Sequence, residues 1–267
     1  MPLCRGSAAG GQAASGQAQV MIQLPLAVAI TGSVLWLVVV INAVNFMDGA
    51  NGLAMGMAAI AALGFAICAG FIGAWTLALL SISVAGALAG FLVWNIPGKL
   101  FVGDAGAYFT GAILGGLSLE FVRQRPDLLF VPPMLLLPFL SDVLMTLAWR
   151  SMHGKKLFVA HRDHTYQIAM KAGLRHWQVA LVHAFWALNA AVVGVASTIL
   201  GGHMPAIAFG ALLLVSDQPM IPEGVKTEAS DAKVSADYVR NHIKVGIESL
   251  KLIRRHGKSV RHLRFDE

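Results

Sequence analysis

Long apolar runs, separated by short polar breaks, make up most of the chain. Most runs reach the length of about 20 residues that a helix needs to cross a bilayer, and none alternates like a barrel strand. Only helices and closed barrels satisfy every backbone group in lipid. The pattern therefore predicts an all-α, polytopic membrane bundle of about seven transmembrane helices, at 24–44, 53–73, 75–95, 105–121, 129–149, 178–199 and 203–215.

The composition also excludes a single water-soluble domain. Of the 267 residues, 57% are hydrophobic and 13% are charged, whereas soluble domains carry about 25% charged residues. The 2 cysteines exclude a disulfide framework. We predict a disordered leader at 1–22, a membrane domain at 23–215 and a cytoplasmic basic tail at 216–267 with the apolar stripe of a membrane-surface helix.

Basic residues are concentrated in the second part of the chain, and this sets the predicted orientation. Residues 150–267 hold 16 of the 20 Lys and Arg. Nucleic-acid binding is one interpretation of a basic chain. In a membrane protein Lys and Arg instead gather in cytoplasmic loops. With seven spans, the loops at 45–52, 95–104 and 150–177 then share the cytoplasmic side with the tail.

Three polar clusters interrupt the apolar runs, and all three lie on the predicted cytoplasmic side. The first contains Asn42, Asn45, Asp48 and Asn51. Asp-Gly and Asn-Gly are turn dipeptides, so a plain turn is one interpretation. The helical spacing of the first three residues also places two amides and a carboxylate on one face of a helix end. Such amides can bind a phosphate or a sugar hydroxyl, and the carboxylate a hard cation.

The second cluster spans residues 99–108 and places Asp104 between glycines, before an apolar run and after Lys99. Its plain interpretation is a helix N-cap. The same geometry lets backbone N–H groups approach a phosphate. An Asp there can bridge to that phosphate through Mg²⁺, which takes one or two carboxylates and completes its shell with waters and phosphates. Asp48 and Asp104 are the predicted metal ligands.

The third cluster, at 161–167, lies in the basic loop and contains Arg162, His164 and Tyr166. It is either a solvated loop that sets topology or an anion site, in which Arg forks onto phosphate and His or Tyr donates hydrogen bonds. Asp142 lies inside the fifth apolar run. An acid there is costly, so Asp142 is either functional or a paired structural group.

These clusters resemble the signatures of the polyprenyl-phosphate N-acetylhexosamine-1-phosphate transferases, glycosyl transferase family 4. Residues 45–53 resemble the N-x-x-D-G-x-D-G-L motif of that superfamily, and 101–106 resemble its F-x-G-D-x-G motif. Residues 138–173 resemble its segment with a mid-helix Asp, a basic loop and a histidine motif. The H-R-x-H-x-Y-Q form at 161–167 is similar to the branch that starts O-antigen and related surface polysaccharides.

The resemblance implies a Mg²⁺-dependent enzyme of the bacterial inner membrane, with Mn²⁺ as a second fitting metal. Such enzymes transfer an N-acetylated amino-sugar phosphate from a UDP-sugar to undecaprenyl phosphate and release UMP. It implies catalytic roles for Asp48, Asp104 and His164. The partners are the two substrates and the bilayer, without nucleic acid, and a homodimer is left open. The implied substrate contacts are Asn42, Asn45, Asn51, Lys99, Arg162 and Tyr166.

Two departures from the family pattern bear on activity. Asn51 stands where the motif has its second Asp, and no Asp or Glu precedes Asp48, where the family carries an Asp-Asp motif. We therefore expect an N-terminally truncated member that, by itself, transfers little or no sugar phosphate. The alternatives are an inactive remnant of the family and a membrane transporter. Polar clusters at the ends of runs, rather than at the midplane, disfavour the transporter.

Overall fold

The computed structural model describes residues 25–152, 164–171 and 173–216, and within them every regular element is helical. The predicted leader, nearly all of the predicted tail, and Arg162 lie outside these residues. The helices are α1 Leu26–Phe46, α2 Leu53–Phe71, α3 Trp75–Asn95, α4 Gly103–Gln124, a 3₁₀ turn Pro126–Leu128, α5 Val131–Leu135, α6 Leu137–Met152, α7 Thr165–Lys171, α8 His176–Leu200 and α9 Met204–Ser216.

Five of these helices, α1, α2, α3, α4 and α8, are long and apolar enough to cross a membrane. They correspond to the first four predicted spans and the sixth, and the prediction of a polytopic helical bundle is confirmed. The central helix is α2, which packs against α3 and α8. Of its most apolar stretch 67% is buried, compared with 17% for α1 and for α3. Lipid-facing helices have such exposed apolar surfaces.

The fifth predicted span is not a continuous helix, and that prediction is wrong. Helix α5 with the turn before it and the start of α6 meet at an angle of 70° around Leu136. Pro138 explains the break, because it has no N–H to donate to the carbonyl of Met134 and its ring clashes with the preceding turn. Counting this bent pair as one span, the described residues contain up to six spans.

The described part of the seventh predicted span is shorter than a bilayer. Helix α9 has 13 residues, which at about 1.5 Å per residue give about 20 Å, against about 30 Å of hydrocarbon. The apolar run therefore predicted a helix correctly, and over the described residues this helix is shorter than the hydrocarbon core.

Two glycines set the packing of α1 against α4. A Cβ atom added at Gly111 would lie 2.7 Å from the Cα atom of Ile41, and one added at Gly115 would lie 2.7 Å from a methyl group of Leu37. Small residues four apart allow close helix approach in membranes. Since residues that ascend on α4 meet residues that descend on α1, the two helices are antiparallel. The end of α1 therefore lies beside the beginning of α4.

Candidate active site

The two predicted metal ligands lie at the same end of the bundle. Asp48 follows α1 in the turn at 47–52, and Asp104 lies in the first turn of α4. Burial, and after it the negative charge of Asp104, raise the pKa of Asp48 to about 6. The antiparallel packing of α1 and α4 thus brings two carboxylates from distant motifs close enough to affect each other.

Asn95, at the end of α3, joins the first polar cluster to the second. Its Oδ1 atom accepts a hydrogen bond of 2.7 Å from the backbone N–H of Gly52, and its Nδ2 atom donates one of 2.8 Å to the carbonyl of Leu100. The side chain is buried. Gly52 has a φ of +79°, which favours glycine. Our sequence interpretation missed Asn95, although an amide at the end of an apolar run was a usable signal.

A cavity of about 170 Å³ opens beside Asp48. Sites for drug-sized ligands usually measure about 300–1,000 Å³, so this cavity fits one part of a larger substrate. Its walls combine a carboxylate, two amides, an imidazole and an aromatic ring. The lining residues are Asp48, Gly49, Ala50, Asn51, Asn95, Phe101, Val102 and His176.

His176, the first residue of α8, is a second lining residue that the sequence motifs did not indicate. Its Nδ1 atom accepts a hydrogen bond of 3.2 Å from the backbone N–H of Asn51. A ring nitrogen that accepts carries no proton, so the proton of His176 is on Nε2. Because α8 packs against α2, this imidazole contacts the first cluster, although 125 residues separate His176 from Asn51 along the chain.

Tyr166 lies against the turn that carries Asp48. Its hydroxyl donates a hydrogen bond of 3.0 Å to the carbonyl of Phe46 and accepts one of 3.0 Å from the amide of Gln167. A Cβ atom at Gly49 would lie 2.7 Å and 2.8 Å from two carbon atoms of the tyrosine ring, so the ring needs glycine there. Burial raises the pKa of Tyr166 to about 12, so the hydroxyl keeps its proton.

His164 is paired with the intramembrane acid Asp142. The Nδ1 atom of His164 lies 2.8 Å from Oδ2 of Asp142, and the backbone N–H of Thr165 donates a hydrogen bond of 2.9 Å to Oδ1. Both side chains of the pair are buried. The imidazole also lies near the rings of Phe46, at 5.8 Å, and Tyr166, at 6.2 Å between centroids. Asp142 is thus a paired group, as one of the two sequence interpretations expected.

Of the remaining amides of the first cluster, one contacts its own helix and the other contacts α4. Asn42 donates a hydrogen bond of 2.7 Å to the carbonyl of Val38, one turn back in α1. The Nδ2 atom of Asn45 lies 3.4 Å from the hydroxyl of Tyr108, which links α1 to α4. Roles for these amides in substrate binding stay predictions.

The two predicted basic substrate contacts, Lys99 and Arg162, have less support from the structure. The ammonium group of Lys99 lies 5.7 Å from the centre of the Trp94 ring, and Lys99 is not among the residues that line the cavity. Arg162 lies outside the described residues. The structure therefore brings together Asp48, Asp104, Asn45, Asn51, His164 and Tyr166 at one end of the bundle, but not Lys99 in the cavity wall.

The donor set at this end suits a cation that shares its shell with water and phosphate. Among the residues that the structure describes, no three His, Cys, Asp and Glu side chains form a group that could hold a metal ion. Asp48 and Asp104 alone would leave most positions to other ligands. Mg²⁺ accepts that arrangement, whereas a structural zinc ion needs four protein ligands.

Comparison with known proteins gives one family. The model of glycosyl transferase family 4 matches residues 6–122. The chain is 32% identical over 170 residues to the phospho-N-acetylmuramoyl-pentapeptide-transferase of Lactiplantibacillus plantarum, a match that covers 62% of this chain and 51% of that relative.

Two further relatives give the same result. The phospho-N-acetylmuramoyl-pentapeptide-transferase of Bacillus subtilis is 34% identical over 158 residues, which cover 58% of this chain and 47% of the relative. The enzyme of the same name from Staphylococcus aureus is 32% identical over 170 residues, 63% of this chain and 49% of the relative. The chain spans about half the length of the curated relatives it matches.

Proposed function

We propose that the chain is a member of the glycosyl transferase family 4 superfamily, which its similarity to that family and to the curated transferases supports. As such a member, it transfers an amino-sugar phosphate from a UDP-N-acetyl amino sugar to undecaprenyl phosphate and releases UMP. The observation that carries the proposal is that Asp48 and Asp104 lie close enough to interact at one end of a membrane bundle, where Asp48 lines a polar cavity. This site is suited to a reaction between a lipid phosphate and a nucleotide pyrophosphate.

The charges of the two substrates set the main requirement of this reaction. A lipid phosphate must approach a pyrophosphate, so catalysis depends on positioning and on neutralising negative charge. Asp48 and Asp104 would hold Mg²⁺, which when bound neutralises charge on the phosphate oxygens. Asp48, with its pKa near 6, is mostly ionised at neutral pH and is therefore available as a ligand.

The cavity is the proposed binding site for part of the UDP-sugar. Asn51 and His176 offer uncharged hydrogen-bonding groups, which suit hydroxyl and carbonyl oxygens. Phe101 is 71% exposed and offers a ring surface at the rim. Only the acid Asp48 in this wall is charged, so the phosphates are best placed at the Asp48 and Asp104 side of the cavity.

The finer identity of the enzyme follows from the third motif. We place the chain in the branch that starts O-antigen-like polysaccharides, because His164 and Tyr166 belong to an H-R-x-H-x-Y-Q sequence. We place the cavity on the cytoplasmic face of a bacterial inner membrane, where a UDP-sugar is supplied. The homodimer remains a prediction from the sequence.

The test measures transfer directly. The purified full chain, in nanodiscs with undecaprenyl phosphate and Mg²⁺, is incubated separately with labelled UDP-N-acetylglucosamine and labelled UDP-N-acetylmuramoyl-pentapeptide. We expect label in the lipid extract and release of UMP with the first donor, a result that would overturn the expectation from the sequence that this chain by itself transfers little or no sugar phosphate. Label with the second donor alone would replace the O-antigen-like assignment by the peptidoglycan one. No label with either donor would support the inactive remnant.

Two variants test the roles of the acids. Asp48→Asn and Asp104→Asn should each lower transfer at saturating Mg²⁺ by more than tenfold, a loss of more than about 1.4 kcal/mol of transition-state stabilisation. The matched control is Asp127→Asn, an acid that is paired with Arg125 beyond the opposite end of α4. If Asp48→Asn or Asp104→Asn kept as much transfer activity as this control, the acid that was replaced would have no role in the reaction.

A further inference from the structure

A carboxylate is buried inside the bundle at Asp142, which is 4% exposed. Burial of a carboxylate costs several kcal/mol unless hydrogen bonds and charge compensate it. Both oxygens of Asp142 are engaged by the same short segment, through the ring of His164 and the backbone of Thr165. The carboxylate therefore binds the beginning of α7 and the residue before it.

The hydrogen bonds of Asp142 fix the state of the imidazole. An ionised carboxylate only accepts, so the Nδ1 atom of His164, at 2.8 Å from Oδ2, carries a proton. When this ring is uncharged, its Nε2 atom is the acceptor. The second bond, from Thr165 N–H to Oδ1 at 2.9 Å, fixes the backbone immediately after the ring.

The same segment has a second attachment, to the turn of Asp48. Tyr166 donates to the carbonyl of Phe46, and its ring lies over Gly49. Asp142 reaches the segment from α6, which begins after the 70° bend and packs against α1 and α8. Segment 164–171 is therefore held from two sides, by α6 and by the end of α1.

We propose that Asp142 is a positioning residue for the proposed transfer reaction: it holds His164 in the Nδ1-protonated state and anchors segment 164–171 beside the Asp48 turn. The inference rests on the proposed function for its kinetic consequence, but its structural part stands on the two hydrogen bonds of Asp142. Asp142 is given no contact with substrate.

Asp142→Asn tests the state of the imidazole with almost no change of shape. The Oδ1 atom of the asparagine still accepts the N–H of Thr165. Its amide, however, can only donate towards Nδ1 of His164, so the ring proton moves to Nε2. We expect kcat to fall by at least tenfold, with KM for the UDP-sugar and the thermal unfolding midpoint close to those of the parent chain. In the variant, Nε2 of His164 can donate a hydrogen bond, whereas in the parent chain it can accept one.

Two measurements separate a positioning role from a merely structural one. In a background of His164→Asn, adding Asp142→Asn should lower kcat by less than about twofold, because a residue that acts through His164 has nothing left to position. Asp142→Glu, which keeps the charge, should recover part of kcat. Ser118→Ala is the matched control, since Ser118 is a buried polar residue that bonds only within α4, and it should leave kcat unchanged.

The tautomer itself is measured without any activity. In protein labelled with ¹⁵N-histidine, His164→Asn identifies the His164 signals among those of the 9 histidines. We expect protonation at Nδ1 in the parent chain and at Nε2 in Asp142→Asn. An unchanged tautomer, or an equal kcat loss in the His164→Asn background, would overturn the inference. If the chain transfers no sugar, the proposed function fails while the tautomer still decides the role of Asp142.

Discussion

Replacement of Asn95 by alanine removes a side chain that bonds to the Asp48 turn on one side and to the loop before α4 on the other. Alanine keeps the helix, because it has the highest helix propensity. The change deletes the 2.7 Å bond from Gly52 N–H and the 2.8 Å bond to the carbonyl of Leu100. The Asp48 turn and the loop before α4 are then no longer joined to each other through residue 95.

The expected cost follows from the two groups left behind. The N–H of Gly52 is bonded in a buried position, and an unpaired buried donor costs about 1–3 kcal/mol. The Leu100 carbonyl is bonded in a partly buried position, where water can replace the amide, so its net loss is about 0.5–1.5 kcal/mol. Asn95→Ala should therefore lower the free energy of unfolding by about 1.5–4.5 kcal/mol.

A second buried asparagine supplies the matched control. Asn189 is 3% exposed, compared with 5% for Asn95, and its amide donates only to the carbonyl of Phe185 within α8. Asn189→Ala loses a similar volume, but its hydrogen-bond partner still belongs to a helix. We expect a cost of about 1 kcal/mol from the lost hydrogen bond. The difference between the two variants isolates the attachment of the two loops.

The assay is reversible unfolding in mixed detergent micelles with increasing dodecyl sulfate, followed by circular dichroism. Asn95→Ala should unfold at a lower dodecyl sulfate fraction than Asn189→Ala. It should also lose more than tenfold of the transfer activity, because the Asp48 turn is no longer held against the loop before Asp104. Equal unfolding free energies for the two variants would refute the reasoning.

The raised pKa of Asp48, about 6 because of burial and then of a neighbouring acid, makes protons compete with a cation. Mg²⁺ affinity, measured by calorimetry, should be about fourfold weaker at about pH 5.5 than above about pH 7; Asp48→Asn should abolish this dependence, and a flat profile in the parent chain would contradict it. Gly49→Ala should destabilise the protein by about 1–3 kcal/mol through a clash with an aromatic ring, whereas Gly56→Ala, with nothing within 4 Å, should be neutral or stabilising; thermal unfolding compares them, and similar midpoints would count against the packing. In a cysteine-free background, single cysteines at the exposed residues Arg175 and Arg123 should react with impermeant reagents from the cytoplasmic and the opposite side, respectively; labelling of both from one side would show that the topology is wrong.

Hydropathy and motif spacing determined the helices and the position of the polar clusters. An apolar run in lipid must satisfy its own backbone groups, and this local requirement makes the helical assignment independent of the neighbours. The same logic placed Asp48 and Asp104 at one end of the bundle, because two spans, an even number, lie between them. The local pattern also predicted α9 as a helix.

The contacts between distant residues were decided only by the tertiary structure. Asn95 and His176 carry no motif, and they enter the site because α3 and α8 pack on α2. The acid at Asp142 could be functional or paired until the bend near Pro138 and the fold of segment 164–171 brought His164 to it. A hydropathy profile sums over neighbouring residues, whereas these contacts depend on which side chains fit together across 22 to 125 residues of sequence.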